Sequence, residues 1–400
     1  MESFRAEITT ATGELGREKQ TVAATVIIAG DKSGPSIQEA HGFKYLAADS
    51  EPIDLNTTFW VASLVKLMTT VAALQLVERG LVDLDEDITR VLHEWKNPSI
   101  LTGFDDNGKP MTRPAQNKMT LRHLLTHSAG MGYDGITPAI LKYRQAIGLS
   151  PITVGTGQTL AEMSLYPLLY EPGEGWEYSY SLDWAGVVVE RLGGHGRLED
   201  YMSSNIWSPL GIKAATFRLN EREDVRSHLL EMPTRDEQGG LKEPSWPLAP
   251  HTFAYDSGGS GLYTKPTDYA KLLAALLRND GTLLKKETVD LMFTPQLSNP
   301  KYLIDYIKAI PFGHAMVQAL PIDTDWNWGL GGMLRMKDVA GKRKARSLHW
   351  SGAPNLQWWI DRSTNVYGLY ATQITPFGDT LSTDLFSRFE EAVYKETSVH

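Results

Sequence analysis

Ser63-Leu64-Val65-Lys66 places a hydroxyl and an ammonium three residues apart. On a helix that spacing brings both side chains to one face, within reach of a shared proton. A serine in the first helical turn also meets unsatisfied backbone N–H groups and the positive end of the helix dipole, which favour the negative charge that develops during acyl transfer. The pair reads as an activated serine nucleophile. The plain alternative is a cap serine beside a surface lysine, because Ser-x-x-Lys recurs by chance. Context separates the two. Lys66 is the only charged residue between Trp60 and Glu78, inside an apolar segment where an unpaired charge is costly.

Other patterns carry less. His123 and His127 stand four apart, the spacing of a zinc pair, but the residues between them lack the glutamate of a metalloprotease helix. Hydrogen bonding that fixes the loop around Ser128 and Gly130 is the expected use. Ser257-Gly258-Gly259-Ser260-Gly261 lacks the Gly-Lys-Ser/Thr ending of a phosphate loop, and no Gly-x-Ser-x-Gly elbow occurs. These glycines are expected to allow close backbone approach beneath a site. The absence of cysteine removes disulfides, thiolate metal sites and cysteine nucleophiles. No metal or other cofactor is expected.

These residues must be positioned by two kinds of structure. The β-branched run from Val22 reads as a buried strand after a polar, mildly helical start. The segment around Lys66 reads as a deeply buried helix stopped by Gly80. From about Asp83 to His251, helical stretches alternate with Pro- and Gly-rich loops and show little β-alternation. The helix TDYAKLLAALLRNDG, the strand-like runs SLHWSG, LQWWID and VYGLYATQ, and the closing helix TDLFSRFEEAVYKE follow. The expected fold class is α/β (α+β), an antiparallel sheet flanked by helices. Residues 1–85 and 255–400 form the sheet domain, 86–254 a mostly helical domain, and the active site lies in the cleft between them.

Three segments in order resemble a known superfamily. ASLVKLMTTVAALQLVERGLVDLDEDI resembles the nucleophile helix of class C β-lactamases, penicillin-binding proteins and family VIII esterases, and TLRHLLTHSAGM resembles their next shared segment. PGEGWEYSYSLDWAGVVVERLGG is similar to the surroundings of their catalytic tyrosine, and His349-Trp350-Ser351-Gly352 to their third motif strand. The resemblance implies the β-lactamase/transpeptidase-like fold and a Ser63, Lys66, Tyr178 site. It places the oxyanion hole at the backbone N–H groups of Ser63 and Ala353. Trp350, Ser351, Gly352 and Tyr180 become candidate substrate contacts, joined by Trp326 from a tryptophan-rich last quarter of the chain. Trp350 stands where lactamases carry the strand lysine and Tyr180 where they carry an asparagine, so esters and thioesters are implied rather than lactams.

GFDDNGKP, LDWAG, ETVDLMF, Gly329-Leu330-Gly331-Gly332 and Gly352-Ala353-Pro354-Asn355 also resemble segments of the fungal lovastatin acyltransferases. Those transesterases move an acyl chain from a polyketide synthase carrier domain to a decalin alcohol. The implied partners are an acyl thioester donor, a carrier domain among them, and a small apolar alcohol. An esterase or lactone hydrolase using the same residues with water, and a catalytically dead binding relative, are the competing readings. The intact Ser63, Lys66 and Tyr178 speak against the latter. A net charge of −9 argues against nucleic acid. The start lacks an apolar signal region and no apolar run near it spans a bilayer, so a soluble cytoplasmic protein without membrane contact is expected. The basic run Lys342–Arg346 reads as a solvated turn, and Arg122, Arg144, Lys342, Arg343 and Lys344 are the available cations for an acidic carrier.

Overall fold

The structure of the protein is a computed structural model that describes residues 1–13, 21–149, 158–243 and 254–397. Seven strands form the main sheet: β1 (Ala24–Asp31), β2 (Gly34–Gly42), β3 (Trp326–Trp328), β4 (Met333–Arg335), β5 (Ser347–Gly352), β6 (Leu356–Asp361) and β7 (Val366–Thr372). Their order is β3-β4-β5-β6-β7-β1-β2, antiparallel throughout. The N-terminal strand thus enters between β2 and the C-terminal strand β7.

Both faces of this sheet are covered, which is why β1 reads as a continuous apolar run rather than an alternating one. Ile27 and Ala29 point into a cluster with Trp359, Tyr370, Phe386 and Phe389. That layer is supplied by α1 (Glu2–Thr12) and α6 (Thr380–Thr397). Val26, Ile28, Trp358 and Leu369 alternate with them and join the larger cluster on the opposite face. Its helices are α2 (Val65–Glu78) and α4 (Pro266–Arg278). Helix α2 is buried on every side from Val65 to Leu76, and it ends just before Gly80, whose φ of +68° lies in the left-handed region.

The segment 86–254 packs, through its described residues, against α2. Its main helix, α3 (Ser181–Leu192), contributes Trp184, Ala185 and Val188 to the cluster that also contains Val71 and Leu74 of α2. One apolar core therefore runs through both parts of the chain, and the boundary expected near residue 254 adjoins residues outside those described. The segment is not free of strands. Ser99–Phe104 and Pro110–Pro114 form an antiparallel hairpin whose turn is tied by Asp105 Oδ1 to the Asn107 and Lys109 amides. Among the described residues no helix is long and apolar enough to cross a membrane.

The basic run 342–346 turns between β4 and β5 with Lys344 and Arg346 exposed, as expected, but Arg343 departs from that pattern. Arg343 is wholly buried, its guanidinium over the rings of Trp359 and Phe386 and 2.6 Å from Glu390 of α6. The apolar stem of an arginine packs as readily as its head pairs.

Candidate active site

A three-stranded sheet of Phe59–Trp60, Tyr263–Thr264 and Ala215–Thr216 sets the chain up for Ser63. Gln373 clasps the Trp60 backbone from both sides, accepting from its N–H at 3.3 Å and donating to its carbonyl at 3.0 Å. Ala62 then takes a φ of +45°, a strained conformation for a residue with a Cβ. A single 3₁₀ turn, Ala62–Leu64, presents Ser63 half-buried at the start of α2.

Lys66 Nζ donates to Ser63 Oγ at 3.1 Å, and Tyr178 Oη lies 2.7 Å from the same oxygen. The ammonium stands 4.7 Å from the Tyr178 ring centroid and donates to the Gly259 carbonyl at 2.6 Å. The three residues expected to form the chemistry are thus in mutual contact, and the glycine-rich loop lies beneath them as expected. The loop's closeness is enforced by a residue that sequence reasoning passed over. Asp183 of α3 accepts from Ser257 Oγ at 2.6 Å and from Gly259 N–H at 3.1 Å. A Cβ on Gly259 would lie 2.2 Å from Asp183 Oδ2. Burial raises the Asp183 carboxyl above the ordinary range, opposed by the charge of Lys66 and by these donors.

A cavity of about 230 Å³ opens over Ser63. Trp350, Ser351, Ala353 and Tyr180 line it, together with Trp60, Tyr133, Tyr255, Phe312 and Phe377, which the sequence did not single out. Trp350 packs 5.2 Å from the Tyr178 ring and Tyr180 4.2 Å from Tyr133. Burial raises the phenols of Tyr133, Tyr180 and Tyr255, so they face the cavity uncharged. Gly352 is the contact point between β5 and the nucleophile turn, for a Cβ there would come within 2.7 Å of the Val61 carbonyl.

Trp326 is a correction. It does not line the cavity: its indole N–H donates to the Pro321 carbonyl, and its ring is covered by Arg335 and His349. It sits on the outermost strand, and the neighbouring Trp328 is the one that backs the site, 4.8 Å from Trp350 and 5.2 Å from His127. His127 is buried against Tyr178 at 4.7 Å, with Nδ1 accepting from the Ser179 amide at 3.3 Å. Burial, reinforced by the charge of Lys66, pushes it well below the usual imidazole range and keeps it neutral. Among the described residues no cluster of three potential metal ligands occurs. The five cations considered for a carrier are all engaged, Arg122 with Asp85, Arg144 with Asp134, Lys342 with Glu391, Arg343 with Glu390 and Lys344 with Asp338.

The beta-lactamase family model matches residues 16–390. The chain belongs to that family. Within it, the chain is 37% identical over 350 residues to ML-236A carboxylate methylbutanoyltransferase of Penicillium citrinum, covering 86% of this chain and 82% of that protein. It is 36% identical over 368 residues to a lovastatin esterase of Penicillium rubens, covering 88% and 89%. A solved simvastatin synthase variant from Aspergillus terreus superposes with a TM-score of 0.88 at 33% identity, covering 100% of this chain and 99% of that one. The β-lactamase/transpeptidase-like fold and a serine acyltransferase or esterase activity follow from this kinship.

Proposed function

We propose that the protein transfers an acyl group from a thioester donor, through an acyl-Ser63 intermediate, to an alcohol on an apolar natural product. The observation that carries this is Ser63 Oγ held by both Lys66 Nζ and Tyr178 Oη at the floor of an aromatic cavity. Ser63 Oγ attacks the thioester carbonyl while its proton passes to the Tyr178–Lys66 pair, which acts as one coupled base in the form that has already given up one proton. The N–H groups of Ser63 and Ala353 receive the oxyanion. Collapse breaks the C–S bond and the thiol leaves with that proton. The acceptor alcohol then gives its own proton to the pair as it attacks the acyl-serine carbonyl. Collapse breaks the bond from that carbon to Ser63 Oγ, the pair returns the proton to Oγ, and the ester departs.

The kinship with a methylbutanoyltransferase supports an acyl group of a few carbons; a carrier domain as donor and a polyketide alcohol as acceptor belong to the same proposal. Trp350, Tyr180 and Ser351 shape the acceptor side, while Gly352, which does not line the cavity, lets β5 pack against the nucleophile turn. A hydrolase is the second reading, favoured by the lovastatin esterase among the relatives, and it needs only water in place of the alcohol. Incubation with a butyryl thioester and a polycyclic alcohol separates the two. The new ester is expected, and free acid alone would assign the protein as an esterase.

A further inference from the structure

The third motif strand loses a partner where it matters. Pairing of β5 with β4 stops at His349, opposite Met333, while pairing with β6 continues through Trp350, Ser351 and Gly352. On the abandoned edge a side chain takes over. Gln318 Nε2 donates to the Trp350 carbonyl at 2.7 Å and to Ser351 Oγ at 3.0 Å. Its Oε1 accepts from Arg343 Nη1 at 3.2 Å, and Arg343 is held by Glu390 at 2.6 Å. The amide orientation is unambiguous, because a carbonyl can only accept and a guanidinium can only donate. Gln318, Arg343 and Glu390 are all wholly buried.

The backbone is bent to make this contact. Gln318 and Ala319 have φ of +56° and +60°, consecutive left-handed residues of a kind that persists only where the surroundings over-determine it. They follow α5 (Pro311–Met316), whose Phe312 lines the cavity and packs 5.5 Å from Tyr178. One amide therefore ties the strand that leads to Ala353 to the helix forming another wall of the site.

We propose that Gln318 is a positioning residue for acyl transfer. It substitutes for a missing strand partner and fixes the Trp350–Ser351 peptide, and with it the Ala353 N–H and the Trp350 ring, against the acyl carbonyl. Arg343 and Glu390 hold it from behind. The inference rests on the acyl-Ser63 reading. Its consequence is a loss in the chemical step rather than in ground-state binding, since small misplacements of an oxyanion donor are felt mainly in the transition state.

Two variants test it. Gln318→Met removes every hydrogen bond. Gln318→Glu keeps the size and the pairing with Arg343 but deletes the donor to Trp350. Active sites are first titrated with a fluorophosphonate and the adduct mapped, so that kcat refers only to folded, competent enzyme. Both variants are expected to lose about tenfold or more in kcat per titrated site with KM for p-nitrophenyl butyrate within about twofold. Lower titratable protein with unchanged kcat per site would reduce Gln318 to a structural residue and overturn the proposal. Failure of the wild-type protein to label at Ser63 would instead overturn the acyl-serine reading itself.

Discussion

Tyr178→Phe deletes a single oxygen, the one 2.7 Å from Ser63 Oγ, and leaves the ring. That ring keeps its packing against His127, Trp350 and Phe312 at 4.7, 5.2 and 5.5 Å, so the cavity should hold its shape. Lys66 remains 3.1 Å from the nucleophile but loses the phenol as its relay. General base catalysis of this kind is worth roughly 10²–10⁴ in rate, or about 3–5 kcal/mol of barrier. The expected fall in kcat is about 10²–10³, because Lys66 still polarises Ser63 and the oxyanion donors remain. Stopped-flow release of p-nitrophenol from p-nitrophenyl butyrate reads the acylation step directly, with thermal unfolding as the check on integrity. The melting temperature should match the parent protein's and KM should change by less than about threefold, for no apolar contact is lost. An acylation rate within about threefold of the parent would refute the assignment of Tyr178 to proton transfer.

Three further perturbations probe the surroundings. Gly259→Ala drives a methyl group into Asp183 and must displace the carbonyl that holds Lys66, so titrated sites should turn over at least about tenfold more slowly; a Gly259→Ala enzyme of parental kcat would mean that the loop does not position Lys66. Arg343→Met strands the Glu390 carboxylate in the core, and urea unfolding should show a loss of about 3–5 kcal/mol, with Arg343→Met/Glu390→Leu recovering most of it; equal losses in the single and double variants would contradict the pairing argument. Burial raises the Glu177 carboxyl from 4.5 to about 7. The folded protein therefore binds this proton more tightly than the unfolded chain does, and the resulting stabilisation is complete below about pH 4.5 and lost as pH rises through 7. Glu177→Gln stays neutral throughout, so its stability relative to the parent should rise by on the order of 2 kcal/mol from pH 4.5 to pH 8 in urea titrations; parallel pH profiles would show that Glu177 is not the group responsible.

How far the sequence carried depended on how local each feature is. Ser63 and Lys66 belong to one turn, and the charge-free stretch around Lys66 already implied burial. Tyr178 lies 115 residues away, beyond any spacing rule, and was reachable only through family resemblance. Asp183 was hidden because its partners, Ser257 and Gly259, sit on a distant loop. Gln318 was hidden for the same reason, with the added obstacle that nothing in a sequence marks where a strand pairing stops. Within the charged run 342–346 it was Arg343 that misled, because its neutralising group, Glu390, comes from the last helix. The hairpin Ser99–Phe104/Pro110–Pro114 was missed although Asn107-Gly108 is a turn signal, since Ile100 is its one buried residue and its strands carry no apolar alternation. Tryptophan density pointed at the right quarter of the chain but could not choose between Trp326, on the outer strand, and Trp350, in the cavity.

The central claim is a covalent acyl group on Ser63. Intact mass spectrometry of the protein quenched during turnover of p-nitrophenyl butyrate, followed by peptide mapping, tests it most directly. The account predicts one butyryl group on the peptide containing Ser63 and none on Ser63→Ala, with turnover abolished in that variant. An adduct on any other residue, or unchanged turnover by Ser63→Ala, would contradict it.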